Sequence, residues 1–305
     1  MSEADTTAYI FGGTNTERQR LVVQAQELEH QARWLLEHIG IQPGWRVIDV
    51  GCGPIGILHL LSEHVGPQGG VTGLEFVPRF AEMAVNEIAR RGLTNVKVVQ
   101  ADALSSGLQR NAFDFAHERL VMINVPAPQA ILSEMIALVR PGGTLAVEEV
   151  DDASWLCHPA HPSWDILVET YHSAFRASGG NVFFGRCLPE MLRAAGLEDV
   201  QWKVHVDTVP PGAYRRKHLL SLLDSLQHKV ISLGLLTDKL FAAHKEALKV
   251  HLDDPDTILI DKLLVQAWGR KPMQGSRKPT TMRTGRDGSP GREIVRAADG
   301  IPRDR

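Results

Sequence analysis

Val47-Ile48-Asp49-Val50 runs directly into Gly51-Cys52-Gly53-Pro54-Ile55-Gly56. An apolar β-type run that ends in a glycine turn predicts a buried strand opening on a ligand crevice, with backbone groups and the Asp49 carboxylate at its mouth. The flanking sequence agrees with a layered architecture. Strand-like runs at 46–50, 70–75, 96–100, 113–118 and 144–150 alternate with helical patterns at 55–64, 78–91 and 128–139. Such alternation implies parallel βαβ units, hence an α/β fold whose sheet is covered on both faces. Gly92, after Arg90-Arg91, reads as a helix C-cap, and Pro141-Gly142-Gly143 as a break before the next strand.

Residues 14–39 predict one long amphipathic helix. Thr14-Asn15-Thr16-Glu17 has the form of a capping box, and Leu21, Ala25, Leu28, Ala32, Leu35 and Leu36 recur at helical spacing. In the second half, 159–177 and 188–195 read as helices, 200–206 as a strand, 215–252 as two helices parted near Gly234, and 257–268 as a final strand. A helical insertion therefore lies between the last two strands. The expected organisation is 1–40 as an N-terminal lid segment and helix, 41–210 with 257–271 as the core, and 211–256 as a helical insertion. Residues 272–305, rich in Gly, Pro, Arg, Ser and Thr, form a tail expected to be disordered.

Composition narrows the functional classes. With 305 residues, 43% of them hydrophobic, the chain can bury one good-sized core, or one core plus a small cap. A net charge of -3 gives no electrostatic reason to expect a nucleic acid or an anionic membrane as partner. Cys52, Cys157 and Cys187 are odd in number and widely spaced, which argues against a disulfide framework or a Cys-rich zinc site. The acidic start Met1-Ser2-Glu3-Ala4-Asp5 has no apolar run and no segment is long enough to span a bilayer, so the expectation is a cytoplasmic chain.

The glycine spacing 51–53–56 matches G-x-G-x-x-G, which brings nicotinamide and flavin cofactors into consideration. Asp49 argues the other way. A carboxylate two residues before the first glycine repels a diphosphate and attracts an ammonium or sulfonium group. Glu75, at the end of the second strand, can accept hydrogen bonds from both hydroxyls of a ribose, and Asp102 follows the third strand, where it can accept from an adenine amine. Phe113-Asp114-Phe115-Ala116-His117-Glu118 ends on the same sheet edge.

These segments, with Leu138-Val139-Arg140-Pro141-Gly142-Gly143-Thr144-Leu145, resemble the ordered motif set of class I S-adenosylmethionine-dependent methyltransferases over roughly residues 41–150. The resemblance implies a Rossmann-like, seven-stranded, mostly parallel sheet with helices on both faces and the last strand antiparallel, capped by the N-terminal helix and the insertion. It implies S-adenosyl-L-methionine as cofactor and a small-molecule acceptor, with no metal. Carried over by position, Asp49 and the backbone of Gly51, Cys52 and Gly53 hold the methionine part, Glu75 the ribose, Asp102 and Ala103 the adenine, and Phe76 packs against its ring. His117 stands where the family places residues touching cofactor and substrate.

The acceptor side is less defined. Transfer to a hydroxyl calls for a base, for which His117 and Glu149 are the candidates, although alternation leaves open whether Glu148 or Glu149 faces the crevice. His117 alternatively packs on the following helix and caps it. Tyr9, in a segment resembling a lid, and Trp155, His158 and Arg186 are candidate acceptor contacts. Core packing by the two aromatics, an entrance-loop position for His158 and a sheet-edge carboxylate partner for Arg186 are the alternatives. O-methylation ranks first and N-methylation second, in secondary metabolism, with C-methylation open and a homodimer allowed. The rivals from other classes are a nicotinamide-dependent oxidoreductase and a cofactor-binding protein without turnover.

Overall fold

The structure, a computed structural model, describes residues 15–273, with side chains from residue 20 onward. The chain begins with helices α1 (Asn15–Glu27) and α2 (Glu29–Ile39) and then alternates: β1 (Arg46–Val50), α3 (Leu58–Val65), β2 (Gly70–Glu75), α4 (Pro78–Arg91), β3 (Val96–Gln100), β4 (Phe113–Arg119), α5 (Pro128–Leu138) and β5 (Val139–Asp151). Next come β6 (Leu156–His158), α6 (Pro162–Arg176), α7 (Leu188–Ala194), β7 (Glu198–His205), α8 (His218–Ser232), α9 (Asp238–Asp253), β8 (Ile258–Ile260) and β9 (Leu263–Arg270).

Seven strands form one sheet in the order β3-β2-β1-β4-β5-β9-β7, and β6 pairs with β8 in a separate ribbon. β9 runs antiparallel to both of its neighbours, while the β2–β1–β4–β5 pairings are parallel. The Rossmann-like expectation, including the reversed last strand, therefore holds. β1 is buried on both faces from Val47 to Val50, with Asp49 the polar residue among Val47, Ile48 and Val50. One face packs Leu35, Leu36, Val47, Leu60, Leu61 and Phe115, and the other packs Ile48, Leu145, Leu167, Phe175 and Leu223 with their neighbours. Pro78 opens α4, and Gly92, at φ 66°, closes it in the left-handed cap that its position suggested.

Four local expectations are corrected. The single helix over 14–39 is two, broken at Leu28 (φ -93°, ψ 5°). α2 lays Ala32, Leu35 and Leu36 on the sheet, whereas Leu21 and Ala25 of α1, with Leu28 at the break, line a cavity, and one straight helix cannot follow both surfaces. Pro141-Gly142-Gly143 does not break the chain but lies within β5 at a register irregularity. There Gly142 N–H donates to Lys271 O (2.9 Å) and Lys271 N–H to Gly143 O (2.8 Å), so pairing continues through it. The strand expected over 257–268 is interrupted at Asp261-Lys262, where the chain leaves the β6 ribbon and enters the sheet. Finally, the helix expected from 159 starts at Pro162, because the preceding residues are taken up by β6 and its loop. The proposed capping box and tail lie outside the described residues, apart from the stub at 272–273.

Between β7 and β8, α8 and α9 are tied down by Arg216. Its buried guanidinium donates to the carbonyls of Leu252, Val209, Asp254 and Thr257 at 2.7–3.1 Å. Two of these carbonyls belong to the C-terminal end of α9, where the helix dipole also favours a cation. Replacing the fork strands four acceptors at once. Arg216→Leu is expected to lower the free energy of urea unfolding by about 3 kcal/mol; a loss below about 0.5 kcal/mol would show that the anchor contributes little.

Candidate active site

Past Val50 the chain turns through Gly51, Gly53 and Gly56, all at positive φ. A Cβ at Gly51 would strike the Val121 side chain, and one at Gly56 would lie 2.5 Å from Cys52 O and 2.7 Å from an Asp49 carboxylate oxygen. Gly53 faces open space. The turn's N–H groups are already used: Gly51 and Cys52 donate to Leu74 O (2.7 and 3.0 Å) and Gly53 to Glu75 Oε2 (2.8 Å). Pro54 has none to give. This is a poor diphosphate cradle, which needs free backbone donors.

Asp49 is buried and accepts from His117, whose Nδ1 lies 2.7 Å from Asp49 Oδ1 and whose Nε2 lies 2.7 Å from Glu148 Oε1. Gln266 Nε2 donates to Glu148 Oε2 (2.7 Å), and Gln266 Oε1 meets His205 Nε2 (2.8 Å). One polar row thus crosses five neighbouring strands: β1, β4, β5, β9 and β7. Burial works against a charged His117, but the two carboxylates outweigh it and raise its pKa to about 9. The same interactions hold Glu148 below the usual carboxylate range despite its burial. On the opposite face Glu118 Oε2 accepts from Val121 N–H (3.1 Å) and Glu149 Oε1 from Ile123 N–H (2.9 Å). Burial pushes both of these carboxyls up, and at Glu149 the proximity of Glu118 adds to it. Leu120, just past β4, adopts φ 59°, a conformation costly for a branched residue and common beside functional sites.

A cavity of about 610 Å³ joins these parts, within the range of small-molecule sites. At one end it is lined by Asp49, Gly51, Cys52, Gly53, Glu75, Phe76, Asp102, Ala103 and His117, so all the residues assigned to the cofactor converge. Glu75 is buried, its oxygens accepting from Gly53 and Val77 (2.8 Å each), and burial raises its pKa. Asp102 is exposed and accepts from Leu104 N–H (2.8 Å).

The acceptor candidates fare differently. Glu149, Trp155, His158 and Arg186 do not line the cavity. Glu149 faces Ile123, Trp155 is buried behind the wall, and His158 is exposed at the end of β6. Arg186 forks onto Asp151 (2.6 and 2.7 Å), the sheet-edge carboxylate that was its alternative partner. His117 has no uncommitted ring nitrogen with which to act as a base. Tyr9 lies outside the described residues. The far end of the cavity is built instead from Arg20, Tyr171, Phe175, Arg215, His218 and Lys262. The sequence held a faint signal for one of them: Asp261-Lys262 is a charged pair inside the apolar run 258–265. Among the described residues no group of three or more His, Cys, Asp or Glu side chains is placed to hold a metal, and no helix is long and apolar enough to cross a membrane.

Comparison with known proteins follows the same outline. A family described as "Methyltransferase domain" matches residues 41–182. The demethylmenaquinone methyltransferase of Geobacillus stearothermophilus is 29% identical over 181 residues, covering 55% of this chain and 77% of that protein. Among solved structures, a protein of Bacillus halodurans described as a methyltransferase superposes with TM-score 0.53 at 16% identity, over 79% of this chain and 99% of its own. YcgJ of Bacillus subtilis gives 0.52 at 17%, over 80% and 99%. At these identities the two structures establish the shared fold.

His117 binds its proton more tightly in the folded chain than at its ordinary pKa of 6.5. The folded state therefore holds more protons between pH 6.5 and about 9, and its stability falls as pH rises through that window. The raised Glu118 and Glu149 carboxyls act in the same direction from lower pH. Urea unfolding is expected to show a loss on the order of 3 kcal/mol across the His117 window, and a shallower slope in His117→Gln. A wild-type profile that is level or rises there would contradict the charged bridge.

Proposed function

Because this chain is a class I S-adenosylmethionine-dependent methyltransferase, we propose that it transfers the methyl group of S-adenosylmethionine to a small acceptor held in the 610 Å³ cavity. The observation that carries this reading is the continuity of that cavity from the glycine turn to the aromatic and cationic end, with α1 and α8 residues in its walls. The residues present fit the cofactor. Asp49 and Glu148 flank one imidazolium, so this buried group carries a net negative charge that favours a cationic ligand over a diphosphate. Each Glu75 oxygen already accepts one N–H and keeps a further lone pair for a ribose hydroxyl. Phe76 is 41% exposed at the cavity, available to cover an adenine ring, with Asp102 and Ala103 beside it.

In this reading Asp49, Gly51, Cys52 and Gly53 hold the methionine end, and His117 positions Asp49 rather than removing a proton. S-adenosylmethionine supplies a methyl already activated on sulfonium, so the protein's task is alignment of the acceptor and exclusion of water. Leu21 and Ala25 of α1, Leu28 between the two helices and Leu222 of α8 supply apolar cover for that purpose. Transfer to oxygen, in small-molecule biosynthesis including secondary metabolism, is the first choice for an acceptor that arrives already ionised, because neither His117 nor Glu149 is placed to take its proton. N-methylation ranks second, because the Lys262 ammonium at the acceptor end attracts an anionic oxygen and offers a neutral amine no comparable attraction. The relatives named for demethylmenaquinone favour a second reading, transfer to a ring carbon that neighbouring oxygens make electron-rich.

Two measurements test this. Wild-type protein should bind S-adenosylmethionine saturably and NADPH not at all; tight NADPH binding alone would sink the reading. Glu75→Gln, which keeps the shape, removes the charge and turns one acceptor oxygen into an NH2 facing the N–H of Gly53 or Val77, should weaken S-adenosylmethionine at least 10-fold, or about 1.4 kcal/mol, with the folded circular-dichroism spectrum retained. Unaltered affinity in that variant would mean that Glu75 serves only the turn.

A further inference from the structure

The acceptor end of the cavity is built around a buried ammonium. Lys262 is only 7% exposed, yet lines the cavity between β8 and β9. Its Nζ lies 3.1 Å from Asp152 Oδ1, donates to the Tyr171 hydroxyl at 3.4 Å, and stands 4.1 and 4.5 Å from the ring centroids of Trp155 and Tyr171. An ammonium has three donors, and these partners account for two. Asp152 is shared with His172 Nε2 (3.0 Å); burial works to lower the Lys262 pKa, but the charges of Asp152 and Asp261 outweigh it and keep the ammonium protonated.

His218 lies beside the same charges. Burial comes first in lowering its pKa well below the ordinary value, and the positive charges of Lys262, Arg20 and Arg215 lower it further. The carboxylates at this end lie against Arg215 and offset its charge: Asp261 pairs with it, and Glu27 and Asp207 each lie 3.9 Å from its guanidinium, with burial raising the Glu27 pKa. Tyr171, Phe175, Leu222 and Leu264 supply an apolar wall next to these cations.

We propose that the acceptor is a flat, largely apolar molecule bearing one anionic oxygen group, and that the spare donor of Lys262 selects it. The anion is either a carboxylate or the oxygen of an acidic enol; the two share the chemistry that Lys262 recognises. A buried ammonium that lacks its third partner is costly, and an anionic oxygen supplies that partner at charge-assisted strength. The aromatic wall then fixes the plane of the ring. Lys262 is thereby a specificity-determining residue, distinct from the residues assigned to the methyl donor. This inference rests on the methyltransferase reading of the cavity.

The test uses the full chain saturated with adenosylhomocysteine and two matched probe pairs in calorimetric titrations. 2-Naphthoate is compared with 2-naphthamide, and 2-hydroxy-1,4-naphthoquinone, ionised at neutral pH, with its methyl ether. At least one anion should bind 10-fold or more tightly than its neutral partner, and which one does so separates carboxylate from enolate recognition. Lys262→Met should erase that preference while adenosylhomocysteine affinity stays within threefold. Equal binding within both pairs, failure of both anions to bind, or a preference that survives in Lys262→Met would each overturn the proposal. Should Lys262→Met fail to bind adenosylhomocysteine, the wild-type pairs decide alone. Failure of the wild-type chain to bind adenosylhomocysteine would instead strike the methyltransferase reading first, and this one with it.

Discussion

A protonated imidazole locked between two carboxylates, His117 between Asp49 and Glu148, sets the geometry on which the site depends. Burying three ionisable groups is unfavourable unless each finds a partner, and removing one member of such a set typically costs about 3–5 kcal/mol. Here every member is matched. Gln266 and His205 extend the row to the far edge of the sheet, so the register of β1, β4, β5, β9 and β7 is pinned by side chains as well as by backbone pairing. A one-residue slip of any of these strands would turn its polar member to the other face and leave the rest unpaired. The glycine turn inherits this rigidity through Asp49, whose carboxylate leaves no room for a side chain at Gly56.

From that fixed end the cavity changes character along its length. Near the turn Asp49, Glu75 and Asp102 stand against one imidazolium and Arg119, which suits a cationic donor. At the other end Lys262 and Arg20 stand among aromatic and aliphatic side chains, while Arg215 is matched by Asp261 and Glu27. On the proposed reading the local fields draw the donor to the first end and the acceptor to the second, with transfer at the boundary between them. In a water-poor enclosure such fields are screened far less than at a surface.

Much of the fold was legible because its signals are local. The glycine turn, Glu75 and the alternation of strands with helices each depend on neighbouring residues, and the cofactor-side residues then converge through strand order. What escaped were arrangements built by tertiary pairing. Asp49, His117, Glu148, His205 and Gln266 are polar residues scattered over five strands far apart in sequence, and only the order β1-β4-β5-β9-β7 puts them in one row. His117 therefore read as a possible base, when its neighbours consume both nitrogens. The acceptor end was missed for a related reason. Arg215 and His218 sit in a basic run that looks like a solvated helix start, and Lys262 in a short interruption of a strand. Trp155 was placed near the right region but one layer too close, since it packs behind Lys262 rather than in the cavity.

Nitrogen-15 NMR of the imidazole side chains, with His117 assigned by its loss in His117→Gln, tests the central interaction most directly. The account predicts that at neutral pH both ring nitrogens of His117 are protonated, and that the imidazolium signature persists until about pH 9. One unprotonated ring nitrogen at neutral pH, titrating near the ordinary histidine value, would contradict it.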